Sequence, residues 1–455
     1  MNLQYKPQDK PPIGKLFVFA LQQLLAILAA TIAVPAIVGH GMSQSAALFG
    51  AGVGTIVYLL FTKFKSPAFL GSSFAFLGSM AAAFAGGVSA SAGYLGLLIG
   101  AALAGLVYVV IALIVKKVGV KWIDKLMPPV VIGPTVAIIG LSLAGNAVGD
   151  ATSGKDIFGA MTLTSTLSLV CALVTLCTVV ICSVYGKKMP KMIPFVIGIG
   201  AGYIVAAIFT VIGLIAENNA MVLIDFTKFK SMQWYPDFTF ITAFSGNYNF
   251  GESGNFGAFL GKIAVAYIPV AFVIFAEHIA DHKNLSSVIG QDLLEDPGLS
   301  NTLLGDGVGS IAGAFFGGCP NTTYGESVGC VAISGNASVV TILDTAILAI
   351  VASFVAPFTT LLATIPSCVM GGVCITLYGF IAVSGLKMLQ GVDLGDNRNL
   401  FVVSTILIAG VGGMALTFGK ITFTEVAVAL ILGILVNLVV SRKKADQDES
   451  GKKAD

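Results

Sequence analysis

The sequence predicts an all-α polytopic membrane protein of about 14 transmembrane spans. Hydrophobic residues make up 56% and charged residues 11% of its 455 residues, and mean hydropathy is +0.93. A chain of this length cannot hide so much apolar surface in a water-soluble core. Apolar runs long enough to cross a bilayer recur from about residue 15 to about residue 440, several of them short or broken by Gly and Pro. One of them contains Pro320-Asn321-Thr322-Thr323-Tyr324-Gly325-Glu326, which brings open backbone, polar side chains and a carboxylate to membrane depth. Such a segment is tolerated where it lines a cavity enclosed by protein, so it is the first candidate for a binding site.

The elements follow in order. Met1 to Lys15 is polar, with three Lys and the pair Pro11-Pro12, and the apolar run after it lacks a small-residue cleavage site; it reads as a retained first helix. Lys63 and Lys65 follow the second span, Lys116, Lys117, Lys121 and Lys125 the fourth, Lys187, Lys188 and Lys191 the sixth, and Arg442 to Lys444 the last. All stand after even-numbered spans, which places both termini in the cytoplasm. The long loop 217–258, with Glu217, Asp225, Asp237, Glu252 and several aromatics, then faces outward. From Arg442 the chain is charged and reads as a solvated, non-helical tail. A net charge of +2 gives no reason to expect nucleic acid. The seven Cys (171, 177, 182, 319, 330, 368 and 374) lie in apolar runs without metal-ligand spacing and read as buried, reduced thiols.

The chain also repeats itself. Leu48-Phe49-Gly50-Ala51-Gly52-Val53-Gly54-Thr55-Ile56 reads against Leu303-Leu304-Gly305-Asp306-Gly307-Val308-Gly309-Ser310-Ile311. Ser72-Ser73-Phe74-Ala75 reads against Thr322-Thr323-Tyr324-Gly325, and Pro128-Pro129-Val130-Val131-Ile132-Gly133 against Pro366-Ser367-Cys368-Val369-Met370-Gly371. The matches keep their order at an offset of roughly 240 to 255 residues, as duplication of one unit requires. Gly-rich helices match by chance singly; three matches in register argue for duplication. They fall in spans 2, 3 and 5 and again in spans 9, 10 and 12, and a shift of seven spans inverts the second unit. Two inverted seven-span repeats put a transporter's site near the midplane, where interrupted segments of both repeats meet.

The interrupted segments are Gly71 to Phe76 in span 3 and Pro320 to Gly325 in span 10. Pro320 removes a donor and disfavours helix at Cys319, while Thr322, Thr323 and Tyr324 favour strand; Ser72, Ser73 and Phe74 act the same way more weakly. Short antiparallel strands there satisfy each other's backbone groups, and the half-helices that follow present free N–H groups to a pocket. A small, planar, polar ligand fits that arrangement. The glycines from Gly50 to Gly54 read as close helix packing, since no phosphate-binding pattern surrounds them.

At these residues the chain resembles the uracil permeases of the nucleobase–cation symporter family, also called nucleobase–ascorbate transporters. The resemblance runs nearly end to end. It is carried by Gly71-Ser72-Ser73-Phe74-Ala75-Phe76, Ala276-Glu277-His278, Asp296-Pro297-Gly298-Leu299, Pro320 to Glu326, and Val369-Met370-Gly371-Gly372-Val373 with Tyr378. It implies a core domain of spans 1 to 4 (15–125) and 8 to 11 (259–357). A gate domain of spans 5 to 7 (126–216) and 12 to 14 (358–441), an extracellular loop 217–258 and a cytoplasmic tail 442–455 complete the unit. The substrate would sit between the domains. The resemblance implies that Glu277 and Glu326 accept hydrogen bonds from the base, that amides around Phe74 and Gly325 donate to it, that Tyr324 and Tyr378 line the pocket, and that Ala30 marks the approach of span 1.

The chemistry of these residues agrees. Uracil is neutral and flat, with ring N–H donors and carbonyl acceptors, so carboxylates and backbone N–H groups complement it and Phe74 can stack on it. The candidates for proton coupling are Glu277, Asp281, His278 and His282. Many uracil permeases carry a His one turn after the residue matching Glu277; here Asp281 stands in that place, with His282 beside it. Positions i and i+4 share a helix face, so Glu277 and Asp281 stack as two carboxylates whose repulsion favours protonating one. Glu277 also reads as a helix-end residue reaching water, because Asp281, His282 and Lys283 follow it. Glu326 has no charged neighbour and reads as a site acid. Asp306 reads as a capping or pairing group, Asp344 and Glu425 as interhelical partners or, alternatively, as aids to proton transfer, and His40 as a residue of the outer mouth.

These readings converge on a secondary active transporter in the cell membrane that imports uracil by proton symport, with sodium as the competing driver and alternating access between core and gate. Two other carriers compete with it. A purine carrier of the xanthine type would begin the strand motif with Gln-Asn, and an anion transporter of the same architecture would want cationic or neutral groups at the two Glu positions. No nucleophile stands beside a paired base and the Cys and His are scattered, so no enzyme activity, metal or cofactor is expected. Membrane lipids and a homodimer through the gate domains are partners implied by the resemblance.

Overall fold

The structure, a computed structural model, describes residues 3–119, 128–153, 161–187, 189–418 and 421–451. Of the charges used to orient the chain, Lys121, Lys125 and Lys188 lie outside these residues, as do Lys420 and the end of the tail. In chain order, α1 (Ile13–Val38) and α2 (Gln44–Phe61) lead to β1 (Leu70–Ser72), the half-helix α3 (Leu77–Phe84) and α4 (Ala90–Val118). Then come α5 (Pro129–Ser142), α6 (Ala144–Ala151), α7 (Leu163–Tyr185) and α8 (Pro194–Ile215). After the long loop follow α9 (Phe256–Ile289), α10 (Leu299–Gly317), β2 (Asn321–Thr323), the half-helix α11 (Gly325–Ser334), α12 (Val339–Ser353) and α13 (Ala356–Ala363). The chain closes with α14 (Ser367–Met388), α15 (Asn397–Val411), the hairpin β3 (Leu416–Phe418) and β4 (Ile421–Phe423), and α16 (Glu425–Gly451).

Local chemistry sets the helix ends. Ser43, Ser89 and Asn255 accept from the N–H groups of Ala46, Ala92 and Ala258 at the starts of α2, α4 and α9, each satisfying a donor that a helix start leaves open. Thr162 and Ser165 form a reciprocal capping box at α7. Gly290 and Gly335 end α9 and α11 at φ 70° and 67°, a left-handed conformation that costs Gly little.

Among the described residues eight helices are long and apolar enough to cross a membrane, or nine if α12 and α13, bent by 82°, count as one span. The sequence reading of about 14 is larger because it also counted broken and short runs; Phe74–Phe84, Asn397–Val411 and Glu425–Ser441 are apolar helices below the length test. Leu106, Val110, Ile181, Ile204 and Ile208 point outward and are exposed, as a lipid-facing surface requires. Two expectations are corrected. Helix α16 runs through Arg442 to Gly451, where a non-helical tail was expected; Lys, Ala, Gln and Glu there are good helix formers. Cys177 is exposed and Cys182 half-buried, on the outward side of α7, whereas the other five free thiols are buried.

Helices α1–α4 pack mainly on α9–α13, and α5–α8 on α14–α16, with fewer contacts between the groups, chiefly from α1 and α9. Where α2 crosses α10, a Cβ on Gly309 would meet the Gly54 carbonyl oxygen at 2.7 Å, and one on Gly54 would meet that of Gly309 at 2.8 Å. Only glycine lets the two backbones come so close. The long loop is anchored, not free: Phe238 packs on Phe49 and Phe240 on Phe315, each pair with centroids 4.9 Å apart, and Glu252 N–H donates to Gly86 O at 2.9 Å.

Strands β1 and β2 pair antiparallel, with Leu70 opposite Thr323, Gly71 opposite Thr322 and Ser72 opposite Asn321. Ser73 N–H donates to Pro320 O at 2.9 Å and Tyr324 N–H to Phe69 O at 3.2 Å. Thr55 serves both backbone groups of Leu70, and Asn321 Nδ2 donates to Gly50 O at 3.1 Å, so the short ladder is held by α2. The first strand is shorter than the sequence suggested: from Phe74 to Phe76 the chain already turns as a 3₁₀ helix leading into α3.

Candidate functional site

Helix α9 presents two polar faces, because neighbouring residues on a helix point about 100° apart. It continues to Ile289, so Glu277 stands inside the helix and not at its end. Glu277, Ala280 and Asp281 on one face, together with Gly325 and Glu326 at the start of α11, line a cavity of about 420 Å³ between the two helix groups. Val136 of α5, Phe195 of α8 and Leu377, Phe380 and Ile381 of α14 form the opposite wall, and the cavity extends to the exposed Lys191 and to Met388. A narrow extension of about 40 Å³ continues past Glu277 and Glu326 to Phe74, Thr322, Thr323 and Tyr324.

The strand crossing holds this wall. Thr323 Oγ1 donates to Asp281 Oδ2 at 2.8 Å, and Tyr324 OH reaches across the ladder to donate to Ser72 O at 2.8 Å. Tyr324 begins α11 without a side-chain cap, which leaves the N–H groups of the first turn for a ligand in the cavity. A Cβ on Gly325 would meet nothing within 4 Å; its backbone is open to an occupant. Acceptors on Glu277 and Glu326, donors at the start of α11 and the ring of Phe74 together suit a small planar molecule carrying both N–H and C=O groups. Among the described residues no group of three or more His, Cys, Asp or Glu side chains is arranged to hold a metal ion.

Other residues expected at the site lie elsewhere. Ala30 is 1% exposed within the packing of α1, and Ala26, one turn earlier, lines the cavity in its place. Tyr378 stands behind Phe74, edge-on at 5.7 Å, so it backs the wall without forming it. His278 and His282 occupy the face of α9 turned away from the cavity. His278 Nδ1 is 2.6 Å from Asp306 Oδ2 and its Nε2 3.0 Å from Thr302 Oγ1. His282 Nδ1 donates to His278 O at 2.8 Å, and the Tyr58 hydroxyl bridges His282 Nε2 (2.6 Å) and Ser66 Oγ (2.7 Å). Asp306 thus finds its partner in His278. His40 stacks on Phe84 at 4.4 Å, and Asp344 is outside the cavity walls.

The sequence reading passed over Gln23, whose Nε2 donates to Ser327 Oγ at 2.5 Å beside Glu326. A buried amide in an apolar helix needs a partner, and that was the available signal. A second cavity, of about 300 Å³, lies beyond Phe74, Ala75 and Ile139, with Ser142, Asn146, Thr424 and Glu425 on its walls. Phe74 and Ile139 also border the narrow extension, so this layer separates the two spaces.

Comparison with known proteins gives the family and the fold. The model of the permease family matches residues 14–419. The uracil permease of Bacillus caldolyticus is 41% identical over 437 residues, covering 95% of this chain and 94% of its own. That of Bacillus subtilis is 38% identical over 436 residues, covering 95% and 94%, and that of Escherichia coli K12 is 33% identical over 434, covering 95% and 92%. Among solved structures, the transmembrane domain of the cyanobacterial bicarbonate transporter BicA matches with a TM-score of 0.60 at 16% identity, over 96% of this chain and all of that one. Murine Slc26a9, an anion transporter in the inward-facing state, matches with a TM-score of 0.65 at 12% identity, over 96% of this chain and 69% of that one; at such identities the likeness concerns the fold alone. Its relatives being permeases and not enzymes, and its helices apolar along their outer faces, this chain is an integral membrane transport protein that belongs to the permease family.

Proposed function

We propose that this chain is a secondary active transporter that imports uracil by proton symport. The observation that carries the reading is the convergence of Glu277 and Glu326 on one cavity, beside the uncapped start of α11 and the ring of Phe74. Uracil offers two ring N–H groups to the carboxylates and two carbonyls to the backbone donors, and its flat face suits Phe74. The relatives named uracil permeases support the same substrate. Sites of this kind discriminate strongly, because a wrong base leaves buried polar groups unpaired.

In this reading α1–α4 with α9–α13 form the core domain, and α5–α8 with α14–α16 the gate. About 14 spans then arise as two inverted seven-span repeats, with β1 and β2 in spans 3 and 10. Both termini are cytoplasmic, the Lys191 mouth opens inward, and the second cavity beyond Phe74 is the outward vestibule. Rocking of core against gate would open each space in turn. Glu277 is the coupling acid, with Asp281 beside it on the same face. Binding of a nucleobase panel to the purified protein tests the substrate, since a ligand of the native state raises its unfolding temperature. Uracil should give the largest rise; a larger rise with xanthine and none with uracil would replace the substrate.

A further inference from the structure

Helix α1 and the arm that precedes it meet the half-helix α11, one near each of its ends. Gln23, in α1, is 3% exposed, and a buried primary amide is costly unless it is bonded. Its Nε2 donates to Ser327 Oγ at 2.5 Å and lies 3.3 Å from Ser327 O. Ser327 is fully buried and directly follows Glu326. At the other end of α11, Tyr5 and Asn336 form a parallel bridge. Gln4 N–H donates to Gly335 O at 2.7 Å, Ala337 N–H to Tyr5 O at 2.9 Å and Val339 N–H to Pro7 O at 3.0 Å, while Ser338 Oγ donates to Asp9 O at 2.6 Å. Between these contacts α11 is only 10 residues long, too short to hold its own position without packing.

We propose that Gln23 and the N-terminal arm around Tyr5 clamp the two ends of α11, and that Gln23 is a positioning residue that sets Glu326 against the cavity. The proposal rests on the reading of Glu326 as a substrate acceptor. A small rotation or slide of α11 would carry its carboxylate away from a ligand held by Glu277 and Phe74, and Gln23 fixes both movements through the neighbouring residue.

The test uses the full-length purified protein, uracil titration, unfolding in the absence of ligand, and uptake by reconstituted vesicles. Gln23→Ala should weaken uracil binding about tenfold and raise the KM of uptake in proportion, with the maximal rate per folded transporter unchanged. Ser327→Ala, which keeps the 3.3 Å contact of Gln23 Nε2 with Ser327 O, should act in the same direction to a smaller degree, and the double variant should be no weaker than Gln23→Ala alone, because Gln23→Ala already removes both contacts. Deleting residues 2–9 should weaken binding in the same direction. If Gln23→Ala does not fold, Ser327→Ala, which removes a single oxygen, carries the comparison. Native affinity in folded variants, losses that add in the double variant, or a fall in maximal rate at constant KM would overturn the proposal. A wild-type protein that ignores uracil but binds another base would sink the substrate reading alone, and the same titrations would then be run with that base.

Discussion

The Thr323 hydroxyl donates to Asp281 Oδ2 at 2.8 Å and ties strand β2 to helix α9 at the edge of the cavity. The acid that replaces the expected His is thereby anchored to the strand crossing, one turn from Glu277. Asp281→Asn keeps an oxygen that can accept from Thr323 and should leave ligand-free stability nearly unchanged. Asp281→Leu strands the hydroxyl and should cost about 1–3 kcal/mol, read from thermal or denaturant unfolding.

Glu326→Gln and Glu277→Gln should each weaken uracil binding by roughly one to two decades. A carboxamide turns one acceptor oxygen into a donor facing the ring N–H, and a charge-assisted hydrogen bond contributes about 1.5–3 kcal/mol. Titration of the folded variants checks this; native affinity in both would remove them from the site.

Two glycine substitutions should fail differently. Gly325→Val projects into open space, so it should abolish uracil binding while unfolding stays near the native temperature. Gly309→Val meets the Gly54 carbonyl at 2.7 Å and forces α2 from α10, at a cost of about 1–3 kcal/mol or more. Unfolding of the two proteins side by side, with and without uracil, separates them.

Uptake into vesicles should follow an inward proton gradient in sodium-free buffer and stop with a protonophore. In Glu277→Gln, accumulation should disappear while any residual exchange ignores the gradient. Uptake that tracks sodium and is indifferent to pH would assign coupling to another ion.

Cysteines introduced for Tyr235, Gly119 and Asp448 report topology. In sealed cells the first should react with an impermeant reagent from outside and the other two only after lysis. Labelling of residue 119 from outside would invert the assignment.

Much of the candidate site's geometry was legible in the chain because its signals are local. Pro320 with Thr322, Thr323 and Tyr324 marks extended backbone within a few residues, and the structure has β2 there, paired with β1. The i, i+4 spacing put Glu277 and Asp281 on one face, and both line the cavity. The glycines of α2 and α10 announced close packing, and Gly54 meets Gly309. What the sequence left open was direction. Periodicity gives α9 two polar faces but not which of them meets the cavity; Asp306 and Tyr58, brought from α10 and α2, hold His278 and His282 away from it. The rotation of α1 that exchanges Ala30 for Ala26, and the reach of Gln23 to Ser327 across 304 residues, depend in the same way on packing between helices. Such contacts join side chains from distant parts of the chain, and no local propensity encodes them.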